Sequence, residues 1–290
     1  MNAPSQTDAR TNGLMMLIEF ESIDGIRQWE GQLDRRGLTA LVQAQHNVIA
    51  AHPQDFVRLA MKGYPIAGLY AEQPFWDMPY DEQLARMREV KAAIEQTLVV
   101  KTMRVFGSKY FAYDENTLKA ADALGVDYVL ARGTAGERAI VYAPREYKAR
   151  IISVSNVPFG DMGTGSLCDY SLWARGSTDA DFFDLVQKVI ERRPSDMILV
   201  SHAYLGGTRA GWWRGYEAAL DSDDVRWRKF DDWIGALELI DLPYASIPVN
   251  REVKYQAPKP AMPLDRMEPV PGLSATGHAP GSAQDGLLCQ

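Results

Sequence analysis

Short apolar runs alternate along this chain with longer stretches of helical periodicity. Eight runs rich in apolar and β-branched residues predict strands, at residues 14–20, 38–44, 64–70, 102–107, 126–131, 149–155, 196–202 and 244–249. Strands that alternate with helical stretches are typical of βα units around a parallel sheet. The pattern therefore predicts an α/β protein.

Two helices have clear signals of their own. Residues 80–98 place a series of apolar side chains on one helical face: Leu84, Met87, Val90, Ile94 and Leu98. In the second helix, Asp114 is a candidate N-cap, and Gly125 follows the last periodic residue as a C-terminal stop. Both helices are expected to cover a face of the sheet.

Three parts are predicted along the 290 residues: a flexible N-terminus at 1–13, one folded domain at 14–252, and a Pro/Gly-rich C-terminal tail at 253–290. The tail has few apolar residues and no periodicity, so it cannot repay the entropy of folding by itself. We expect it to be disordered or to lie as an extended arm on a second subunit. A homo-oligomer is therefore a possibility.

The charge pattern excludes one large class of partner. The formal net charge is -7, and the basic residues are scattered rather than clustered, so no nucleic-acid partner is predicted. The N-terminus lacks the features of a signal peptide and no run of 18 apolar residues occurs, which predicts a cytoplasmic protein without a membrane partner. Two cysteines are too few for a disulfide framework or a thiolate metal site.

The order of three stretches resembles a known family. They are residues 33–70, which contain "LTALVQAQHNVIAAHPQDF", residues 78–95, "MPYDEQLARMREVKAAIE", and residues 103–131, which contain "MRVFGSKYFAYDENTLKAADALG". Together they resemble the polysaccharide deacetylases of the NodB-homology, carbohydrate esterase family 4 type, over about residues 14–252. The resemblance implies an irregular (β/α)7 barrel with an extended C-terminal tail. It also implies hydrolysis of amides such as N-acetyl groups on sugars, or of cyclic ureides as in a metal-independent allantoinase branch.

The family's metal-binding positions are changed in this chain. In the family, the first strand ends in Thr-Phe-Asp-Asp, where the first Asp is the base and the second is a metal ligand. The corresponding residues 19–22 of this chain read "EFES". Glu21 is therefore kept as a candidate base, whereas Ser22 replaces the metal ligand. The family's two histidine ligands correspond to Leu69 and Gln73. The resemblance therefore predicts no cofactor.

A divalent metal remains possible only through a different set of ligands. Glu21, His46 and His202 could form such a set, because all three follow or end predicted strands that meet at the same edge of a barrel.

Metal-free hydrolysis needs a base for the water, a donor for the developing oxyanion and an acid for the leaving nitrogen. Glu21 is the candidate base. Arg104 matches the arginine of the family's Arg-Pro-Pro-Tyr-Gly strand and is the candidate charge stabiliser. His202, in "LVSH", matches the catalytic His of the family's Leu-x-His, with Asp169 as the residue that orients it. Each also has a structural interpretation, as a solvated strand residue, an ion-pair partner or a hydrogen-bonded core histidine.

Residues near the predicted strand ends are candidates for binding the substrate. They are Glu19, His46, Glu72, Trp76, Trp173 and Trp213. Tryptophan rings in loops could stack on a sugar or a flat heterocycle, since they combine apolar area with a polar edge. Loop packing or a subunit contact explains each ring equally well.

The sequence supports one leading function and two alternatives. The leading hypothesis is a hydrolase of non-peptide carbon–nitrogen bonds in a small substrate, such as an N-acylated amino sugar or a cyclic amide or ureide. The first alternative is a catalytically degenerate protein that binds a saccharide or a protein partner. The second is an isomerase or lyase in which Glu21 and His202 transfer protons, because a fold does not fix a reaction.

Overall fold

The computed structural model describes residues 10–19, 23–98, 102–252 and 260–271. Its strands are β1 (Thr11–Glu19), β2 (Leu41–Gln45), β3 (Ile66–Tyr70), β4 (Val105–Ser108), β5 (Tyr128–Ala131), β6 (Ile140–Pro144), β7 (Arg150–Ser153), β8 (Asn156–Pro158), β9 (Thr164–Ser166), β10 (Asp196–His202), β11 (Val225–Trp227) and β12 (Leu239–Leu242).

Its helices are α1 (Ile26–Arg35), α2 (His46–Ala51), α3 (Pro53–Met61), α4 (Tyr80–Leu98), α5 (Glu115–Leu124), α6 (Asp169–Trp173), α7 (Asp179–Arg192), α8 (Ala203–Gly206), α9 (Ala210–Leu220) and α10 (Phe230–Ala236). Short 3-10 helices lie at Lys109–Phe111, Gly160–Met162, Tyr244–Ser246 and Leu264–Arg266. Of the helices in the described ranges, none combines the length and the apolar character that a membrane crossing requires.

Seven parallel strands form the body of the sheet, in the order β10, β1, β2, β3, β4, β5 and β7. Beyond β7 the sheet continues with β6, which is antiparallel to β7, and then with β12. Strand β11 pairs with the first residues of β1, while β8 and β9 form a separate two-stranded sheet. This arrangement confirms the predicted irregular barrel.

The irregularity lies along the edge of β10 that does not pair with β1. Residues that follow β7 and β9 cover this edge, because the Ile198 amide donates to Ser155 Oγ at 3.0 Å and the Val200 amide donates to the Leu167 carbonyl at 3.0 Å. The Leu167 amide in turn donates to the Ser155 carbonyl at 3.2 Å. The backbone groups on this side of β10 thus find partners without a regular strand.

The predicted strands correspond to the structure at seven of eight positions, and these seven are the parallel strands of the barrel. The prediction for residues 244–249 is wrong: Tyr244–Ser246 is a 3-10 helix, and the strand in this region is β12, which ends at Leu242. Pro243 explains the difference, since it has no amide hydrogen for a ladder and its carbonyl accepts the Ser246 amide at 2.9 Å instead.

Both predicted helices are confirmed. Helix α4 has the predicted bounds and buries four of the five predicted apolar positions, from Met87 to Leu98. At α5, the Asp114 carboxylate accepts the Thr117 amide in a capping box, and Gly125 ends the helix with φ at 67°. Local sequence therefore determined both ends of α5.

The register of the strands shows which side chains point into the barrel. A Cβ on Gly107 of β4 would lie 2.5 Å from Gln43 Nε2 on β2, two strands away, and 3.2 Å from Leu130 Cβ on β5. Only the concave side of the sheet allows such a contact. Residues that are in register with Gly107, or two residues away from such a position along the same strand, share its face: Ile18, Gln43, Leu69, Leu130 and His202.

Part of the predicted tail packs against its own chain. In residues 260–271, the Glu268 carbonyl accepts the Ala210 amide at 2.9 Å and the Val270 amide donates to the Thr208 carbonyl at 2.8 Å. Leu264 and Val270 are buried. Composition predicted neither contact, because a short apolar anchor in a Pro-rich stretch has no periodicity. The remainder of the predicted tail, 253–259 and 272–290, lies outside the described residues.

One buried glutamine links α4 to the loop before it and to α5. Gln83 Nε2 lies 2.9 Å from each of three acceptors that share its two hydrogens, the Phe75 carbonyl, the Met78 carbonyl and Asp114 Oδ1, and Gln83 Oε1 accepts the Thr117 hydroxyl at 2.6 Å. A fully buried amide is tolerated only when its donors and acceptor are used in this way.

We expect Gln83→Leu to lower the free energy of unfolding by about 2–5 kcal/mol, because two buried carbonyls and a hydroxyl lose their partner. Urea unfolding measures this. Gln96→Leu is the matched control, since Gln96 is exposed on the same helix and its replacement should change stability by less than about 0.5 kcal/mol. Equal effects of the two substitutions would contradict the role given to Gln83.

Candidate active site

A buried histidine and aspartate meet at the carboxyl edge of the barrel. His202 is the last residue of β10, in register with Ile18 of β1, and its imidazole Nδ1 lies 3.2 Å from Asp169 Oδ1. Both side chains are fully buried. Because a carboxylate only accepts hydrogen bonds, Nδ1 carries the hydrogen of this bond. The structure thus brings together two of the four predicted catalytic residues.

The Asp169 carboxylate is held from several directions. Its Oδ1 accepts the backbone amides of Tyr170 at 2.6 Å and His202 at 3.0 Å, while Oδ2 accepts the Ser201 hydroxyl at 3.0 Å. Gly206 leaves room for this arrangement, since a Cβ there would lie 2.5 Å from Asp169 Oδ2 and 2.3 Å from Ser201 Oγ. The carboxylate therefore has one orientation, and so does the imidazole bound to it.

The surroundings of His202 favour its protonated form. Burial lowers the pKa of His202, but the hydrogen bonds to Asp169 and Cys168 and the electrostatic interactions with these two residues outweigh burial and raise it to about 9. The Tyr170 ring lies over the imidazole at 4.7 Å between centroids. At neutral pH this histidine is an imidazolium, which is the state that a general acid requires.

Tyr216 fixes the chain segment on which Asp169 lies. Its hydroxyl donates to the Val200 carbonyl at 2.7 Å and accepts the Asp169 amide at 3.2 Å. Burial raises the pKa of Tyr216 well above its usual value, so the hydroxyl keeps its hydrogen and both bonds. Helix α6 is thereby tied to β10 at the position of the pair.

Cys168 completes a group of three side chains of the kind that bind metals. One ligand-type atom from each of Cys168, Asp169 and His202 lies within 4.8 Å of the others, and all three are buried. The hydrogen bonds fit an ion pair better than a metal site, because Asp169 Oδ1 already meets three nitrogen donors and the Cys168 sulfur accepts the Ser171 amide at 3.2 Å.

The residues at the family's metal positions do not fit a divalent metal. Leu69 is buried on β3 and points into the barrel, where it offers no donor atom. Gln73 is exposed beyond β3, and its amide nitrogen donates to Glu82 at 3.4 Å. The third position, Ser22, lies outside the described residues. We therefore derive no catalytic step from a metal at these positions.

The register places Glu19 on the outer face of the sheet. Glu19 is in register with Ala44, and Ala44 with Gly68, where a Cβ would lie 2.5 Å from the Met103 sulfur and 2.7 Å from Val90 of α4. This row faces α4, whereas His202 faces the interior. The buried Glu19 is thus not brought to His202, which corrects its predicted substrate-binding role. Glu21, the candidate base, lies outside the described residues.

Arg104 lies at the opposite edge of the barrel. It precedes β4, and its guanidinium donates to Asp127 at 2.9 Å and to Asp231 of α10 at 2.7 Å. These ion pairs join the amino ends of two strands to α10, which corrects the predicted role of Arg104 beside the catalytic histidine. A different arginine, Arg132, is 2% exposed and follows β5 directly, at the carboxyl edge.

Three predicted binding residues lie at the carboxyl ends of β2 and β3. His46 begins α2, and Glu72 accepts the Tyr70 hydroxyl at 2.9 Å. Trp76 stacks on Tyr110 of the neighbouring loop, with centroids 6.3 Å apart and planes inclined by 21°. Tyr110 has φ at 62°, an uncommon conformation for a non-glycine residue that often marks a functional site.

The other two predicted tryptophans are packed into the protein. Trp173 is buried, and its indole nitrogen donates to the Met262 carbonyl at 2.7 Å. Trp213 is buried in α9 with its ring 5.0 Å from that of Trp29 in α1. Neither arrangement leaves a free ring face at the barrel mouth, so the predicted stacking role of these two residues is corrected.

Sequence reasoning missed Cys168 and Tyr216, which contact the pair, and Arg132, which follows β5 at the carboxyl edge of the barrel. Cys168 had a signal, because it precedes Asp169, but its approach to His202 joins positions far apart in the chain. Tyr216 and Arg132 had none, since each is an isolated polar residue in an otherwise apolar or helical stretch.

No protein-family model and no curated protein matches this sequence. Solved structures do match. A putative polysaccharide deacetylase from Mycobacterium smegmatis is similar with a TM-score of 0.62 at 15% identity, over 85% of this chain and 98% of that one. The allantoinase PuuE is similar with a TM-score of 0.61 at 11% identity, over 80% of this chain and 92% of that one.

A third similar structure is a CE4 family pseudoenzyme from Bacillus anthracis, with a TM-score of 0.54 at 10% identity over 81% of this chain and 71% of that one. These likenesses confirm the resemblance at the level of the fold. The chain has the NodB-type barrel that polysaccharide deacetylases, CE4 pseudoenzymes and an allantoinase share.

Proposed function

We propose that this protein hydrolyses a carbon–nitrogen bond in a small non-peptide amide, such as an N-acylated amino sugar or a cyclic amide or ureide. The buried pair of His202 and Asp169 carries the proposal. An imidazolium held by a carboxylate at the carboxyl edge of a barrel is suited to protonate a leaving nitrogen.

The proposed reaction consumes one water, and the proton that the base takes from it passes to His202 at the end of the turnover, which restores both groups. Water attacks the carbonyl carbon and forms a new carbon–oxygen bond, and a base takes its proton. The carbon–nitrogen bond of the tetrahedral intermediate then breaks while His202 Nε2 gives its proton to the departing nitrogen. Glu21 remains the proposed base on the strength of the family resemblance.

Arg132 supports the proposal as a replacement for Arg104. A tetrahedral intermediate carries negative charge on the former carbonyl oxygen, and a buried cation stabilises such charge strongly because few waters screen it. Arg132 is buried, follows β5 at the carboxyl edge, and lies two residues beyond the inward-facing Leu130. We propose it as the stabilising group.

The stacked rings of Trp76 and Tyr110 support a substrate with a ring. Both lie in loops at the carboxyl ends of neighbouring strands, β3 and β4, and Trp76 is half-buried. A sugar or a planar heterocycle can lie against such a surface. Trp76 therefore remains a proposed binding residue, together with His46 and Glu72.

The changes at Leu69 and Gln73 favour a second candidate, binding without turnover. The two candidates separate in a screen that follows the release of acetate from acetylated amino sugars and, for cyclic amides, the ring opening that produces a new carboxylate on the same molecule. Turnover of any member supports hydrolysis, whereas binding of a member without turnover supports the second candidate.

We expect His202→Gln and Asp169→Asn each to lower kcat by about 10²- to 10⁴-fold, because the loss falls on proton transfer in the transition state. Steady-state kinetics with the substrate from the screen measures this. His52→Gln is the control, since His52 precedes α3 and makes no side-chain capping bond. A wild-type rate in both variants would remove the pair from the mechanism.

The raised pKa of His202 also makes stability depend on pH. The imidazolium is stabilised in the folded protein, so its contribution is complete below about pH 6.5, the unfolded value, and is lost as the pH rises through about 9. We expect the free energy of unfolding in urea to fall across this range. His202→Gln should flatten the decline; an unchanged slope would assign it to another group.

Without ligands at the family's metal positions, turnover should not require a bound metal. We expect the rate to be unchanged after dialysis against EDTA, and elemental analysis of the purified protein to find less than one zinc per chain. Loss of activity with EDTA, restored by zinc, would refute the metal-free reaction and leave the fold assignment untouched.

A further inference from the structure

A cavity lies outside the Asp169–His202 site. It has a volume of about 930 Å³ and lies between the start of α7, the start of α9 and the segment 260–268. None of its described lining residues belongs to the group around His202. A cavity of this size can hold a small organic molecule.

Three arginines line this cavity: Arg209, Arg214 and Arg266. Within the described ranges, no carboxylate lies within 4 Å of any of the three guanidinium groups, whereas most arginines elsewhere on this acidic protein form ion pairs. Two carboxylate residues, Asp179 and Glu268, also line the cavity, so its cations outnumber its anions by one. An anion bound between the arginines would balance the remaining positive charge.

Arg209 is the most constrained of the three. It is partly buried, and its Nε is a buried donor without a hydrogen-bond partner among the described residues. Burial lowers the pKa of Arg209, while the charges of Asp24 and Asp265 oppose this effect. A buried unpaired donor is unfavourable, and a ligand oxygen would satisfy it.

The arginines differ from the rest of the lining, which is largely apolar. Trp212, Met262 and Pro263 line the cavity, and Met262 is 52% exposed. Arg214 lies over the Phe183 ring at 5.2 Å, which leaves its guanidinium edge free for an acceptor. A ligand that fits both parts has a charged group at one end and an apolar or ring-shaped body at the other.

The segment 260–268 is one wall of the cavity and is firmly attached. Its backbone pairs with the α8–α9 connection through Glu268 and Ala210, and Met262 accepts the Trp173 indole hydrogen. The wall therefore exists before a ligand binds. Its Arg266 faces a cavity that α9 lines with Arg209 and Arg214.

We propose that this cavity binds a small organic anion, a phosphate or carboxylate with an apolar or ring-shaped body, through Arg209, Arg214 and Arg266. Bidentate guanidinium contacts recognise both kinds of anion, and the apolar lining recognises the body. The site is separate from the catalytic pair, and binding can be measured whether or not the protein turns over a substrate.

Isothermal titration calorimetry with phenyl phosphate and phenylacetate tests the proposal on the full chain, with phenol as the uncharged comparison. We expect at least one anion to bind with a Kd below about 1 mM and phenol not to bind measurably. Arg209→Gln and Arg266→Gln should each weaken binding by about tenfold, in keeping with the loss of one charge-assisted contact.

Arg88→Gln is the matched control, since Arg88 is exposed on α4 and far from the cavity in sequence; it should leave binding unchanged. Arg266 is itself exposed, so its variant provides the test even if Arg209→Gln does not fold. Failure of both anions to bind, or equal binding by wild type and Arg266→Gln, would overturn the proposal.

Discussion

The buried carboxylate of Asp169 is the group on which the site depends. A desolvated carboxylate is costly unless several donors surround it. Here the donors come from two separate parts of the chain: the first turn of α6, and the end of β10 with Ser201 and His202. Because the charge is stable only when both parts are in place, it holds α6 against β10 and fixes the imidazole between them.

The gap in the barrel serves the same arrangement. A regular barrel would place a strand along the free edge of β10, and its backbone would occupy the side of β10 that Leu167 now covers. Because residues 167 and 168 cross there instead of forming a long strand, the chain turns into α6 beside the end of β10. Asp169 therefore lies beside His202, and the formation of the site depends on this irregular closure of the barrel.

The features that could be predicted from the sequence are those that local patterns of residues determine. Helix α4 and the Asp114 cap follow from periodicity and capping chemistry, and the family resemblance paired His202 with Asp169. Glu19 was predicted to bind the substrate, and its outward orientation has no signal in the sequence, because both faces of β1 are buried and the strand shows no alternation of apolar and polar residues. Arg104 lies just before β4, at the amino end of this four-residue strand. A side chain only a few residues further along would lie at the carboxyl edge of the barrel instead. The approach of Cys168 to His202 depends on long-range closure, which no local pattern encodes.

The pairing of β1 with β10 has a consequence for how the protein is made. The two strands are adjacent in the barrel, yet Asn12 and Asp196, which are hydrogen-bonded, are 184 residues apart in sequence. During synthesis the first strand therefore leaves the ribosome long before its neighbour exists. One edge of the nascent sheet stays open until the last third of the chain emerges, and such an edge pairs readily with other chains. The last step that closes the sheet depends on a contact of large sequence separation, and such contacts form slowly.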